Sequence, residues 1–141
     1  MKYVLDASVA LRWVISDPTS AKAIQLRDDY QNGIHELLAP DIFIGEVANA
    51  LTKAERQKLI PIGDAVPLLG KVLSAPPILH CYVPPVKRAS EISSRTRSGF
   101  YDCLYLVLAE QQRCEFVTVD QKLVNNLQPS FPFVISLTSL P

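Results

Sequence analysis

Two hydrophobic rhythms alternate along the chain. Short continuous apolar runs in "KYVLD", "HELLAP", "ILHCYV", "EFVTVD" and "FPFVISL" read as buried strands. Between them, apolar residues three and four positions apart read as helices. Lys2–Asp6 predicts a first strand, and residues 7–15 a helix apolar nearly all round through Val9, Leu11, Trp13 and Val14. A second helix fits residues 17–33, with Asp17 as its cap, Pro18 in its first turn and Gly33 at its end. In residues 40–59, Phe43, Val47, Ala50, Leu51 and Ala54 share one face, while Lys53, Glu55, Gln57 and Lys58 lie off it. Asp64 is expected to cap a helix that Pro76 and Pro77 stop, with Pro67 in its first turn. Further helices fit 86–99, ending at Gly99, then 101–113 and 121–127.

This alternation predicts an α/β fold: one domain spanning residues 1–141, with a mostly parallel central sheet of four or five strands and helices on both faces. Paired helices between successive strands account for the high helix content. The length suits one domain, and 48% apolar residues suffice for its core. Fourteen basic and 14 acidic residues leave no net charge, so no global nucleic-acid signature appears, although a local basic patch stays compatible. Cys81, Cys103 and Cys114 are odd in number and lack metal-ligand spacing, which argues against a disulfide scaffold or structural zinc. They are expected to be small core hydrophobes. No signal peptide or membrane-spanning run is evident, and a cytoplasmic location is expected.

The candidate chemistry lies in four acids. Asp6 and Asp120 each follow an apolar strand, and ligand sites in open parallel sheets form outside the carboxyl ends of strands. If the two strands are neighbours, both carboxylates reach one rim. Glu46 sits inside "IFIGEVANAL" at the edge of a core face, and Asp102 opens "DCLYLVLA". Singly, Asp6 and Asp120 also read as helix caps, and Asp102 as a first-turn acid favoured by the helix dipole. Glu46, several residues into its expected helix, has no such explanation; its plain alternative is a boundary position with its head in water. Clustered carboxylates repel in a low-dielectric site and are reconciled by hard divalent cations such as Mg²⁺ or Mn²⁺, which promote phosphodiester hydrolysis.

Four segments, "YVLDASVALRW", "LLAPDIFIGEVANAL", "GFYDCLYLVLAE" and "FVTVDQKLV", resemble, in order and spacing, the blocks of PIN-domain ribonucleases. The resemblance runs from Lys2 to about Leu127 and is strongest to the VapC-type toxins of toxin–antitoxin modules. It implies that Asp6, Glu46, Asp102 and Asp120 are an acidic quartet binding Mg²⁺ or Mn²⁺. Ser8, Thr118 and Asn49 match polar positions that support those acids. It also implies cleavage of single-stranded or looped RNA to a 5′-phosphate and a 3′-hydroxyl, a homodimeric toxin and a small inhibitory antitoxin protein.

Arg95 and Arg97, just before Asp102, and Arg12, after Asp6, are the candidate phosphate-binding cations. Trp13 and Tyr101 are aromatic candidates for base stacking, with core packing the alternative. His35 and His80 lack a partner motif, so the nucleophile is expected to be metal-activated water. A haloacid-dehalogenase-like phosphatase would need an Asp where Ser8 stands, and a phospho-receiver domain an early acidic pair. The alternative within the resemblance is a catalytically inactive PIN-like module that binds RNA or protein; the intact quartet argues against it.

Overall fold

Strands rich in Val, Leu and Phe pair side by side in the computed structural model, which describes residues 1–141. They are β1 (Lys2–Leu5), β2 (Glu36–Pro40), β3 (Ile78–His80), β4 (Glu115–Thr118) and β5 (Val134–Ser136). All neighbours run parallel, in the order β3-β2-β1-β4-β5. From β1 the chain builds outward to β2 and β3, then returns to lay β4 and β5 on the other side. The connections therefore diverge between β1 and β4, and in open parallel sheets ligand sites form outside the carboxyl ends of the strands at such a switch point.

Seven helices flank the five-stranded sheet: α1 (Ala7–Leu11), α2 (Ser20–Gln31), α3 (Phe43–Arg56), α4 (Ala65–Leu73), α5 (Val86–Thr96), α6 (Phe100–Gln112) and α7 (Gln121–Leu127). They come in pairs in the first three crossovers. The last three residues of β1 and of β4 are buried, and α6 is buried from Cys103 through Ala109 where it crosses the sheet. Tyr105 of α6 stacks on Phe116 of β4, ring centroids 5.9 Å apart. Leu5 pairs with Val117, which sets Asp6 level with Thr118 in the next strand.

Several boundaries differ from expectation. The first helix ends at Leu11 rather than residue 15, because Arg12, Trp13 and Val14 donate their N–H groups three residues back, to Val9, Ala10 and Leu11. Asp17 precedes α2 and folds a local turn instead of capping it, accepting from the Thr19 N–H and hydroxyl at 2.7 and 2.6 Å. Asp64 makes no capping bond; Glu55 of α3 takes that role across a loop, accepting from Gly63 N at 2.5 Å and Ala65 N at 3.4 Å. Helix α5 stops at Thr96, with Arg97 in the left-handed region at φ 62°, and Gly99 opens α6 instead of closing α5. β3 ends at His80 because the next backbone donor in reach, Tyr82 N–H, bonds Asp41 Oδ1 at 3.2 Å. Cys81 is consequently exposed, unlike buried Cys103. Trp13 is core, its indole N–H donating to Ala23 O at 2.9 Å.

Candidate active site

Helix starts converge on the carboxyl end of the sheet and carry all four acids. Asp6 is the N-cap of α1, accepting from Ser8 N at 3.1 Å, and Asp120 is the N-cap of α7, accepting from Leu123 N at 3.1 Å. Asp102 lies in the first turn of α6. Because α3 begins only at Phe43, Glu46 also lies in a first turn, nearer the helix start than the several residues in that the sequence suggests. Four helix N-termini thus direct partial positive charge at the same end of the fold. Capping and clustering prove compatible, since a carboxylate has about four acceptor positions and a cap uses one.

Asp6 is the most enclosed acid, at 6% exposure. Its Oδ2 accepts from the buried Thr118 hydroxyl at 2.6 Å, and its Oδ1 from both the backbone and the hydroxyl of Ser8. The Ser8 hydroxyl in turn accepts from Val119 N at 3.2 Å, and Thr118 Oγ1 from Asp120 N at 3.1 Å. Two hydroxyls therefore lock the end of β1 to the segment following β4. Glu46 has a single side-chain partner, the buried Tyr105 hydroxyl, which donates to its Oε1 at 2.6 Å. Tyr105 is the site residue that sequence reasoning missed. Its one signal was its position three residues after Asp102, on the same side of α6.

The charges are under tension. Burial pushes the Asp6 carboxyl up to about 6, against the lowering effect of its Ser8 and Thr118 hydrogen bonds. Burial also raises Asp102 to about 6, with the Asp6 and Asp120 charges adding to the rise. Glu46 is raised by burial and by Asp102, although the Tyr105 bond opposes this. The Tyr105 hydroxyl is pushed far up by burial and by Glu46, so it acts as a donor. No cation offsets these carboxylates. The ion pairs of the protein are Arg12–Asp17, Arg27–Asp28 and Arg88–Glu110, all outside the set.

The donor chemistry suits a hard divalent cation: oxygen ligands, excess negative charge and supporting hydroxyls. As placed, no group of three or more acid, His or Cys side chains closes around one point. The arrangement is a charged rim, not a finished cage, which matches an ion that keeps several waters and takes one or two carboxylates.

The remaining candidates fall elsewhere. Asn49 is exposed, makes no side-chain hydrogen bond, and lines a cleft beside Glu46. Arg12 is tied to Asp17 at 2.5 Å and donates to Ser8 O at 3.4 Å. Arg95 and Arg97 are exposed and unpaired. Arg88, in the same basic stretch, clamps α5 to α6 through two bonds to Glu110.

A parallel α/β sheet with a carboxylate rim at its switch point defines the class of this protein. The chain belongs to the PIN domain family, which matches residues 3–126. PIN domains are typically metal-dependent nucleases. The crystal structure of PAE2754 from Pyrobaculum aerophilum superposes with a TM-score of 0.70 at 26% identity, covering 99% of this chain and 94% of that one. No curated protein matches the sequence. No helix is long and apolar enough to cross a membrane.

Proposed function

We propose that the protein is a divalent-metal-dependent endoribonuclease, the toxin of a toxin–antitoxin pair, hydrolysing RNA with Mg²⁺ or Mn²⁺. One observation carries this reading. Asp6 is buried and Glu46 and Asp102 part-buried, in positions where their pKa values are raised, they influence one another, and no cation balances them. Such tension is unfavourable for an inert fold and is relieved by a bound cation.

Asp6, Asp102 and Asp120 are the residues that would hold the ion, with Glu46 orienting water or taking a second one. A bound ion supplies Lewis-acid polarisation of the phosphate and lowers the pKa of water. The chain's own part is positional. Thr118 and Ser8 fix both oxygens of Asp6, and Tyr105 fixes Glu46. Exposed Arg95 and Arg97 are free to hold flanking phosphates. A second copy of the chain and a small antitoxin are the partners this reading requires. Leu59, Ile62 and Val66, each more than 70% exposed, offer apolar surface for such contacts.

Metal-dependent cleavage is the deciding experiment. The wild type is expected to cut single-stranded RNA with Mn²⁺ or Mg²⁺, to stop with chelator, and to lose about 10³-fold or more with Asp6→Asn. Equal behaviour of wild type and Asp6→Asn would remove the basis of the reading. Arg97→Ala should weaken RNA binding and flatten its salt dependence; unchanged binding takes Arg97 out of the interface.

A further inference from the structure

Beside Glu46 lies a cleft of about 600 Å³ that the acid rim does not account for. Its walls include Tyr101, from the first turn of α6, and Tyr82, from the loop after β3. Asp41, Ile42 and, from α3, Gly45, Glu46 and Asn49 complete it. Tyr101 is 55% exposed although it packs edge-on against Phe100 at 5.4 Å. The tyrosine hydroxyls hydrogen-bonded within the protein are those of Tyr3, Tyr30 and Tyr105; those of Tyr82 and Tyr101 are free. A Cβ on Gly45 would meet nothing within 4 Å, so this side of α3 is open space. Asp41 Oδ1 accepts from the Tyr82 backbone N–H at 3.2 Å, which ties the chain at Tyr82 to the turn before α3.

No Lys or Arg lines this cleft, and Asp41 and Glu46 make it anionic. It is thus unsuited to a phosphate. Flat aromatic faces with acceptor oxygens at the margin suit a splayed-out nucleobase instead. We propose that the cleft is the base-binding subsite for the nucleotide adjoining the cleaved phosphate, with Tyr101 as its stacking platform and Asn49 and Asp41 reading the base edge. Carboxylates only accept hydrogen bonds, and uracil offers a lone N3–H donor flanked by carbonyl oxygens that a carboxylate repels, so the subsite favours bases carrying an exocyclic amino group over uracil. This inference rests on the nuclease reading and adds the specificity that the acid rim alone cannot supply.

Steady-state cleavage of oligoadenylate and oligouridylate by wild type, Tyr101→Phe, Tyr101→Leu and Asp41→Asn tests it. Wild type should favour oligoadenylate. Tyr101→Phe, which keeps the ring, should match wild type, whereas Tyr101→Leu should raise KM about tenfold or more with kcat little changed. Asp41→Asn keeps an acceptor for Tyr82 N and should lose base preference. Unchanged KM in Tyr101→Leu, or equal use of both substrates by wild type, overturns the subsite while leaving the nuclease reading intact. A binding arm separates the two failures: fluorescence anisotropy of wild type with a labelled oligoadenylate and its abasic analogue. Weaker abasic binding supports the subsite even if no cleavage is seen. Equal binding overturns it.

Discussion

The Asp6 and Glu46 sides of the rim are built differently. Asp6 extends from a central strand, is enclosed, and has both oxygens engaged by Ser8 and Thr118. Glu46 lies on a helix, is half-buried, keeps one oxygen tied to Tyr105, and borders the open cleft. The difference teaches a division of labour. Strand-end geometry and hydroxyl bonds make one side a fixed reference, while the other retains freedom to adjust to an ion, a water or a substrate.

The largest effect expected of this asymmetry is on stability against pH. The folded Asp6 carboxyl titrates near 6, above its ordinary value of 3.8. Between about pH 4 and 6 the folded state therefore binds more protons than the unfolded state, so stability falls as pH rises. Above this window the cost of the ionised group is complete, on the order of 3 kcal/mol for Asp6. Asp102, also near 6, acts in the same direction. Urea unfolding of chelator-treated protein from pH 4 to 8 should show this decline, and saturating Mn²⁺ should reverse it at neutral pH. A flat metal-free profile would show that Asp6 is not the strained reference inferred here.

Next in size is Thr118→Val, which preserves β-branching but leaves a buried Asp6 oxygen without its donor. A loss of about 1–3 kcal/mol is expected by chemical denaturation. Because the Thr118 bond lowers the Asp6 pKa, its removal should also shift pH-dependent Mn²⁺ binding to higher pH, measured by isothermal calorimetry. Tyr105→Phe is the matching change on the other side. It keeps the ring stacked on Phe116 and removes only the donor to Glu46. About 1 kcal/mol of stability and roughly tenfold in metal affinity or activity are expected to go. If Tyr105→Phe proves costlier than Thr118→Val, the contrast between the sides is inverted.

How much of this was visible beforehand depends on the range of each interaction. Asp6 and Asp120 stood out because a strand, an acid and a helix follow one another directly, and the pairing of β1 with β4 completes the argument. Tyr105 did not, because its apolar neighbours along α6 make it indistinguishable from core, and its partner lies 59 residues away. Glu55 was similarly hidden: only the folded α3–α4 corner shows that its carboxylate caps the next helix. Gly99 departs from expectation for another reason. Glycine after a polar helix ordinarily signals its end, but Arg97 adopts the left-handed conformation and leaves Gly99 to open α6.

That reassignment carries the smallest prediction. Gly99 has φ −59°, which any residue can adopt, so its role is not backbone freedom. A Cβ there would lie 3.0 Å from Asp102 Oδ2 and 3.7 Å from its Cγ, so the carboxylate must move by a few tenths of an ångström. Gly99→Ala should leave stability within about 0.5 kcal/mol, since only the end of a side chain must move. Metal binding should weaken severalfold, because ligand groups need placing to about 0.5 Å. Calorimetric Mn²⁺ titration beside a urea melt separates the two effects. Unchanged affinity with an unchanged melt would mean that Asp102, like Glu46, has room to adjust, and would leave the fixed part of the rim to Asp6 and the helix-capping Asp120.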